Sequence, residues 1–143
     1  NMKGISNGQV IDADKEYAVA EEYRKKLKTK CPSVEQNVGN LSGGNQQKVL
    51  LAKWMFAEPD ILILDEPTRG IDVGAKYEIY CIINDLVAAG KSVIMISSEL
   101  PEVLGMSDRI YIMNEGKFVG EVSKEEATSE LIMSKIAKSG KGA

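Results

Sequence analysis

The stretch Ile61-Leu62-Ile63-Leu64-Asp65-Glu66 constrains this chain most, because four large apolar residues run directly into two carboxylates. Apolar side chains at every position, rather than at alternate ones, predict a short strand buried on both faces of a parallel sheet. Unpaired buried carboxylates are costly, so the end of such a strand needs a metal, a basic partner or water chemistry. The stretch therefore predicts an α/β protein with chemistry at a strand end.

Composition narrows the classes of protein that this chain can belong to. Its 143 residues suffice for one domain with a core. A net charge of −3 and a pI near 5.1 give no support for a basic nucleic-acid-binding surface. No apolar run approaches the roughly 18 residues that a membrane span needs. The chain has no histidine, which excludes His-metal sites and Ser-His or Cys-His nucleophilic pairs.

A glycine turn precedes the strand and predicts a helix from Ser42-Gly43-Gly44 to about Ala57. Two glycines at a helix start let the backbone approach a ligand closely, and the free N–H groups there favour an anion. A Ser-Gly-Gly sequence by itself is more typical of an ordinary capped loop than of a ligand site. Its place just upstream of Asp65 and Glu66 favours the chemical interpretation.

The carboxylates can divide their roles at the strand end. One can face Mg²⁺, usually through water, while the next can face an attacking water. The alternative is a structural pair at a strand terminus. The neighbouring glycine turn favours the first interpretation, which is a phosphate-handling site.

Other patterns place the remaining elements. Strand, helix and strand in this order predict parallel strands with a right-handed crossover. Glycines mark residues 2–11 as a loop, and a frayed tail is expected at 138–142. The predicted elements are a helix over 14–29 capped by Asp12 or Asp14, a strand over 61–64, a helix from Asp72 to Gly90, a strand over 92–97, a short helical turn over 101–105, a hairpin over 109–113 and 118–122, and a last helix over 124–138 opened by a Ser123–Glu126 capping box.

Three motifs together resemble the ATP-binding cassette family. Leu41 to Gln47 resembles its signature motif, Ile61 to Glu66 its Walker B strand, and Thr68 to Asp72 its D-loop. The resemblance implies a partial P-loop NTPase fold: an α/β fold with a mainly parallel sheet and a C-terminal hairpin and helices, lacking the P-loop strand. It further implies that residues 1–40 are part of a helical subdomain and that residues 41–143 are the second half of the catalytic core.

The resemblance also implies roles for the signature turn. Ser42, Gly43 and Gly44, with Asn45 beside them in the motif, would contact the γ-phosphate of an ATP held mainly by a facing cassette. Asp72 would lie at the interface between the two cassettes.

The same resemblance assigns the carboxylates. Asp65 would assist Mg²⁺, and Glu66 would be the general base toward water. Ser98 occupies the position where most cassettes carry a switch histidine that touches the γ-phosphate. A serine donates one hydrogen bond but carries no positive charge, so the cassette's own ATP site is expected to be weakened.

Longer runs are similar to the second cassette of double-cassette ATPases that drive import of galactose, ribose or xylose. Asn40 to Lys48, Asp65 to Lys76 and Ser97 to Gly105 carry this similarity, with Asn45 where many other cassettes place Gln or Glu. It implies an ATP- and Mg²⁺-dependent importer subunit that works with transmembrane permease subunits. Such a subunit is cytoplasmic and peripheral on the inner face of the cell membrane.

One expected motif is missing from this sequence. Nowhere does Gly-x4-Gly-Lys-Ser/Thr occur, so the chain is expected to be a fragment that lacks the main phosphate cradle and is inactive by itself. The alternatives are an inert interaction fragment and a soluble, non-transport cassette ATPase that works on DNA or ribosomes. Strands that lose sheet neighbours expose apolar faces, so a homodimer of the fragment is also expected.

Overall fold

A computed structural model describes residues 1–7 and 10–140, and within these residues the chain forms five α-helices and six short strands. Single 3-10 turns cover Met2–Gly4 and Val38–Asn40. The elements are β1 Ser6–Asn7, β2 Val10–Ile11, α1 Ala13–Lys26, α2 Gly43–Phe56, β3 Ile61–Asp65, α3 Val73–Ala88, β4 Ser92–Ile96, α4 Leu100–Met106, β5 Arg109–Asn114, β6 Lys117–Ser123 and α5 Ser129–Ser139. The predicted Gly8 loop position and residues 141–142 of the predicted tail lie outside the described residues.

Side-chain caps fix the helix starts that the sequence predicts. The Asp12 carboxylate accepts hydrogen bonds from the backbone N–H groups of Asp14 and Lys15, both at 3.2 Å. The Asp72 carboxylate accepts one from the N–H of Ala75 at 3.0 Å. Both aspartates therefore satisfy amide groups that a helix start leaves without partners. These contacts confirm the predicted caps of α1 and α3.

The strand that carries the two carboxylates differs from its prediction. Leu62 and Leu64 are buried, but Ile61 is 60% exposed and Ile63 is 64% exposed. Successive strand side chains point to opposite faces, and one face of β3 is uncovered by the described residues. The prediction of a strand buried on both faces is therefore wrong for this chain. We call Ile61, Ile63 and Ile94 the open sheet face, since Ile94 of β4 is 53% exposed as well.

The strands form three two-stranded sheets. Two of them, β1–β2 and β5–β6, are antiparallel, and the third pairs β3 with β4. The chain passes from β3 to β4 through α3, which is the helical crossover that neighbouring parallel strands need. The starts of the two strands are tied by Asp60, whose carbonyl accepts from Ser92 N at 2.9 Å and whose carboxylate lies 3.3 Å from Lys91 Nζ.

The described chain divides into two compact units, one covering Asn1–Ile94 and one beginning at Met95. In the first unit α2 packs against both α1 and α3. Its buried apolar residues are Leu27, Leu51, Leu62, Leu64, Ile79, Ile82 and Ile83. The subdomain boundary expected near residue 40 stays a prediction.

The second unit is a hairpin with a helix packed on it. Ile110 and Ile112 of β5, Val122 of β6 and Ile132 of α5 form its buried core. The hairpin is confirmed, with the two-residue turn Glu115-Gly116 at φ +49° and +73°.

The predicted start of the last helix is wrong. Ser123 and Glu126 do form a side-chain hydrogen bond, at 3.1 Å, but they sit at the end of β6 and in the turn after it. The helix begins at Ser129, where Thr128 Oγ1 accepts from Leu131 N at 3.1 Å. Ser123 pairs with Arg109 in the hairpin and therefore stays in the strand. The strand pairing outweighs the local capping pattern.

Candidate functional site

The N-terminus of α2 is the first part of the candidate site. Ser42 has extended backbone angles, and its carbonyl accepts from Gln46 N at 2.9 Å, which starts the helix. Its hydroxyl accepts from Asn45 Nδ2 at 2.8 Å instead of capping the helix. Ser42 and Gly43 are exposed. Among the described residues the Ser42 side chain does not cap this helix start, and an anion would fit the first N–H groups of α2.

Asn45 connects the turn to a distant segment. Its Oδ1 accepts from Lys30 N at 2.8 Å, while its Nδ2 donates to Ser42 Oγ. Both ends of this amide therefore make hydrogen bonds within the chain. Asn45 sets the orientation of the Ser42 hydroxyl and holds the segment after α1 beside the turn.

The two glycines of the turn lie against the loop between β3 and α3. A β-carbon added at Gly43 would lie 3.9 Å from the Gly70 carbonyl, an ordinary contact. One added at Gly44 would lie 2.6 Å from Ala75 Cβ, which no real structure tolerates without a shift. Gly44 is buried there, so α2 and α3 are in close contact at their N-termini.

Asp65 and Glu66 stand together at the end of β3. Asp65 is the last residue of the strand and is exposed. Glu66 is half-buried and adopts φ +45°, in the left-handed region that side chains other than glycine rarely occupy. Pro67 and Thr68, which follow, are fully buried and hold the chain in place. Strained backbone of this kind is concentrated at functional sites, which makes Glu66 a candidate for one.

The loop after the carboxylates returns the chain to the signature turn. Gly70 has φ +72°, and the Ile71 methyl Cγ2 would lie 3.5 Å from a β-carbon at Gly44. Asp72, the predicted interface residue, uses its carboxylate to cap α3. In the first unit, therefore, the turn at 42–45, the loop at 68–72 and the N-terminus of α3 form one contiguous surface.

Ser98 belongs to the second unit. It is exposed in the connection between β4 and α4, where the neighbouring Ser97 Oγ accepts from Glu99 N at 3.0 Å. This short turn presents Ser98 to solvent at the end of β4.

Lys48 is a site-supporting residue that the sequence analysis did not single out. Its side chain is 4% exposed, and its Nζ lies 2.8 Å from Glu78 Oε2 on α3. The Nζ also donates to the Lys28 carbonyl at 3.2 Å. The hydrogen bond and the charge of Lys48 lower the pKa of the Glu78 carboxyl. The sequence feature that could have indicated the buried position of Lys48 is its spacing, because Gly44, Lys48 and Leu51 recur at the interval of one helix face.

Residues 1–7 and 10–140 show neither a ready-made metal site nor a membrane-spanning helix. That part of the chain contains no group of three or more His, Cys, Asp and Glu side chains able to hold a metal ion. A single exposed carboxylate such as Asp65 suits Mg²⁺ that keeps most of its waters and takes its other ligands from phosphate. Within the same residues, no helix is long and apolar enough to cross a membrane.

Comparison with known proteins identifies sugar-import relatives. The chain is 65% identical to the L-arabinose transport ATP-binding protein AraG of Geobacillus stearothermophilus over 94% of its own length. It is 58% identical to the xylose import ATP-binding protein XylG of Geobacillus kaustophilus over 92%, and 56% identical to the ribose import ATP-binding protein RbsA of Clostridium tetani over 93%. In each case it spans 26% of the relative's length.

Solved structures agree on the fold. The ADP conformation of MJ1267, an ATP-binding cassette of an ABC transporter, matches 94% of this chain with a TM-score of 0.72 at 24% identity. The post-hydrolysis dimer of the cassette MJ0796, bound to ADP and Pi, matches 82% with a TM-score of 0.71 at 22% identity. The chain spans 54% and 51% of these two structures. A family model described as ABC transporter matches residues 3–69. Residues 3–69 of the chain therefore belong to the ATP-binding cassette (ABC) transporter family.

Proposed function

We propose that this chain is part of the second cassette of an ATP-hydrolysing subunit that drives monosaccharide import. The observation that carries the proposal is the packing of the Ser42-Gly43-Gly44 turn against the loop that follows Asp65 and Glu66. This packing brings an anion-binding helix start and two carboxylates onto neighbouring segments of one unit. The names of the relatives, which include arabinose, xylose and ribose import, support a sugar as the cargo.

In this proposal each residue of the turn binds phosphate oxygens of an ATP held mainly by a facing cassette. The Ser42 hydroxyl and the N–H groups of Gly43 and Gly44 donate to those oxygens, and Asn45 keeps the hydroxyl aimed outward. Asp72 caps α3 and thereby fixes the loop at the cassette–cassette interface. Donors that are held in place before the reaction stabilise developing charge without reorganising.

The carboxylates act at the cassette's own ATP site. Mg²⁺ and ATP, when bound, supply charge neutralisation and the transferable phosphoryl group. Asp65 would hold the metal through water, and Glu66 would act as the general base that accepts a proton from the attacking water. The sequence has Ser98 where a switch histidine is usual, and a serine offers a hydrogen bond without positive charge. From this sequence feature we expect the cassette's own ATP site to hydrolyse more slowly than the site that Ser42 completes.

The proposed partners follow from the importer role. The subunit works with transmembrane permease subunits and is held by them at the cytoplasmic face of the cell membrane. Its acidic balance gives no attraction for nucleic acid, which disfavours a non-transport cassette that acts on DNA or ribosomes.

A second candidate is an interaction fragment without catalysis of its own. The sequence favours it for the isolated chain, because no Gly-x4-Gly-Lys-Ser/Thr run is present. Calorimetric titration of the purified chain with Mg-ATP distinguishes an isolated chain that binds ATP from one that is only an interaction fragment. We expect no micromolar binding; micromolar binding or turnover would show that the isolated chain is an ATPase in its own right.

Mutation of the full-length subunit, assembled with its permease, tests the proposed function. We expect Ser42→Ala to lower ATP hydrolysis by about 100-fold, the usual effect of removing one preorganised donor. Glu66→Gln should lower it less, because the site it serves is the weaker one. Ser129→Ala, an exposed serine in the second unit, is the matched control. Full activity in Ser42→Ala would contradict the proposal, and uptake of arabinose, xylose and ribose identifies the sugar.

A further inference from the structure

Two contacts in series join α2 to α3. The first is the close approach of Gly44 to Ala75. The second, one helical turn further along both helices, is the pair of Lys48 and Glu78, whose Nζ and Oε2 atoms are 2.8 Å apart. Residues four apart on α2 and three apart on α3 face the same side of their helices. The two contacts together therefore define both the distance and the axial register of the helix pair.

The Lys48 ammonium is confined on every side that the structure describes. Its side chain is 4% exposed, while that of Glu78 is 47% exposed, so the lysine is the buried member of the pair. It also donates to the carbonyl of Lys28, a residue with φ +51° just beyond α1. A buried ammonium without these acceptors would be costly, so this single group binds α2, α3 and the segment that follows α1 to one another.

The same segment beyond α1 is held a second time from the signature turn. Asn45 Oδ1 accepts from Lys30 N at 2.8 Å, and Asn45 Nδ2 donates to Ser42 Oγ at 2.8 Å. Lys48 and Asn45, which both lie on α2, thus form hydrogen bonds to the backbone of Lys28 and Lys30. A shift of Lys48 would be passed to the Ser42 hydroxyl through this hydrogen-bonded chain.

We infer that Lys48 is a positioning residue, which holds the Ser42-Gly43-Gly44 turn in fixed register with the loop that ends at Asp72. The inference rests on the proposed function, because the turn matters only if it meets ATP. Lys48 itself touches no phosphate in this arrangement. It acts by making the turn and the loop one rigid surface, and a misplacement of about 1 Å at a reacting group can cost on the order of 100-fold in rate.

The test compares Lys48→Met with Lys53→Met, an exposed lysine on the same helix. In the full-length subunit we expect Lys48→Met to lower kcat at least about 10-fold and to leave KM within about twofold, because the facing cassette still binds ATP. Lys48→Arg, which keeps the charge, should retain most of the kcat, and Lys53→Met should match the wild type. An unchanged kcat in Lys48→Met would overturn the inference.

Hydrogen exchange of this chain distinguishes positioning from direct contact. Lys48→Met should speed amide exchange over residues 43–47 and 72–75, while the hairpin of the second unit exchanges as before. A loss of kcat without faster exchange at 43–47 would overturn the inference, since Lys48 would then act on ATP itself. If Lys48→Met unfolds the chain, Glu78→Gln, whose side chain is half exposed, decides the same question. If the wild-type subunit hydrolyses no ATP, the proposed function fails, and exchange alone decides whether Lys48 holds the turn.

Discussion

At the scale of single residues, the two glycines of the signature turn do different work. Gly43 is exposed and leaves the backbone open toward a ligand, whereas Gly44 is buried against Ala75. Neither has the positive φ that only glycine adopts easily. Gly44 is therefore required for helix packing, while Gly43, under the proposed function, leaves the backbone accessible to phosphate.

We predict that Gly44→Ala destabilises the first unit by about 1–3 kcal/mol, because the added methyl overlaps Ala75 and forces the helices apart. Gly43→Ala is the matched control and should be neutral or slightly stabilising, since alanine favours helix. Urea unfolding followed by the fluorescence of Trp54, the single tryptophan, measures both. The double change Gly44→Ala with Ala75→Gly should restore stability; failure to do so would show that another contact limits Gly44.

Local sequence predicted some of these residues and could not predict others. The Asp72 cap follows from short-range preference, because an aspartate before a helix bonds an amide three residues on. The contacts of Asn45 with Lys30 and of Lys48 with Glu78 join residues 15 and 30 positions apart. Such pairs depend on how helices pack, which no local pattern specifies, so the structural support of the turn appears only in the fold.

At the scale of elements, the turn of the hairpin in the second unit has a backbone conformation that suits one of its two residues but not the other. Glu115 and Gly116 both have positive φ, the combination that a type I′ turn needs. Glycine adopts it freely, but glutamate does not. The flanking strands, with buried Ile110, Ile112 and Val122, hold the turn in this geometry.

We predict that Glu115→Asn stabilises the hairpin by up to about 1 kcal/mol, because asparagine tolerates the left-handed region and Asn-Gly is the preferred type I′ pair. Slower amide exchange in β5 and β6 would show it. Glu115→Ala removes the same carboxylate but keeps the backbone cost, so it should give no gain. Equal gains from both variants would assign the effect to charge instead.

At the scale of the whole molecule, the open sheet face agrees with the expectation that strands without their sheet neighbours expose apolar residues, but it disagrees with the expectation that both faces of β3 are buried. Every apolar residue of Ile61 to Leu64 was expected to be buried, but burial of both strand faces depends on layers that come from other parts of a fold. The residues that cover one face, and leave Ile61 and Ile63 exposed, are set by the whole arrangement. The family motifs, most helix bounds and the presence of an exposed apolar face were predictable from sequence, whereas the particular residues of β3 that are exposed were not.

We predict that the open sheet face causes concentration-dependent self-association of the isolated chain, since contiguous exposed apolar surface favours it. Ile61→Thr with Ile63→Thr should weaken that association in sedimentation velocity while keeping β-propensity. Met113→Thr, which replaces a comparably exposed apolar side chain on the hairpin, should leave it unchanged. A wild-type chain that stays monomeric at high concentration would contradict the prediction.

The left-handed backbone at Glu66 restricts which substitutions evolution can use there. Glycine, asparagine and aspartate enter this conformation at least cost, and of these aspartate alone keeps a carboxylate. A homologue that no longer hydrolyses ATP at this site would be more stable with glycine or asparagine at this position. A β-branched residue would harm the backbone and the chemistry together. Under the proposed role, the amino acid at this position in another homologue therefore indicates whether that homologue's own site still hydrolyses ATP.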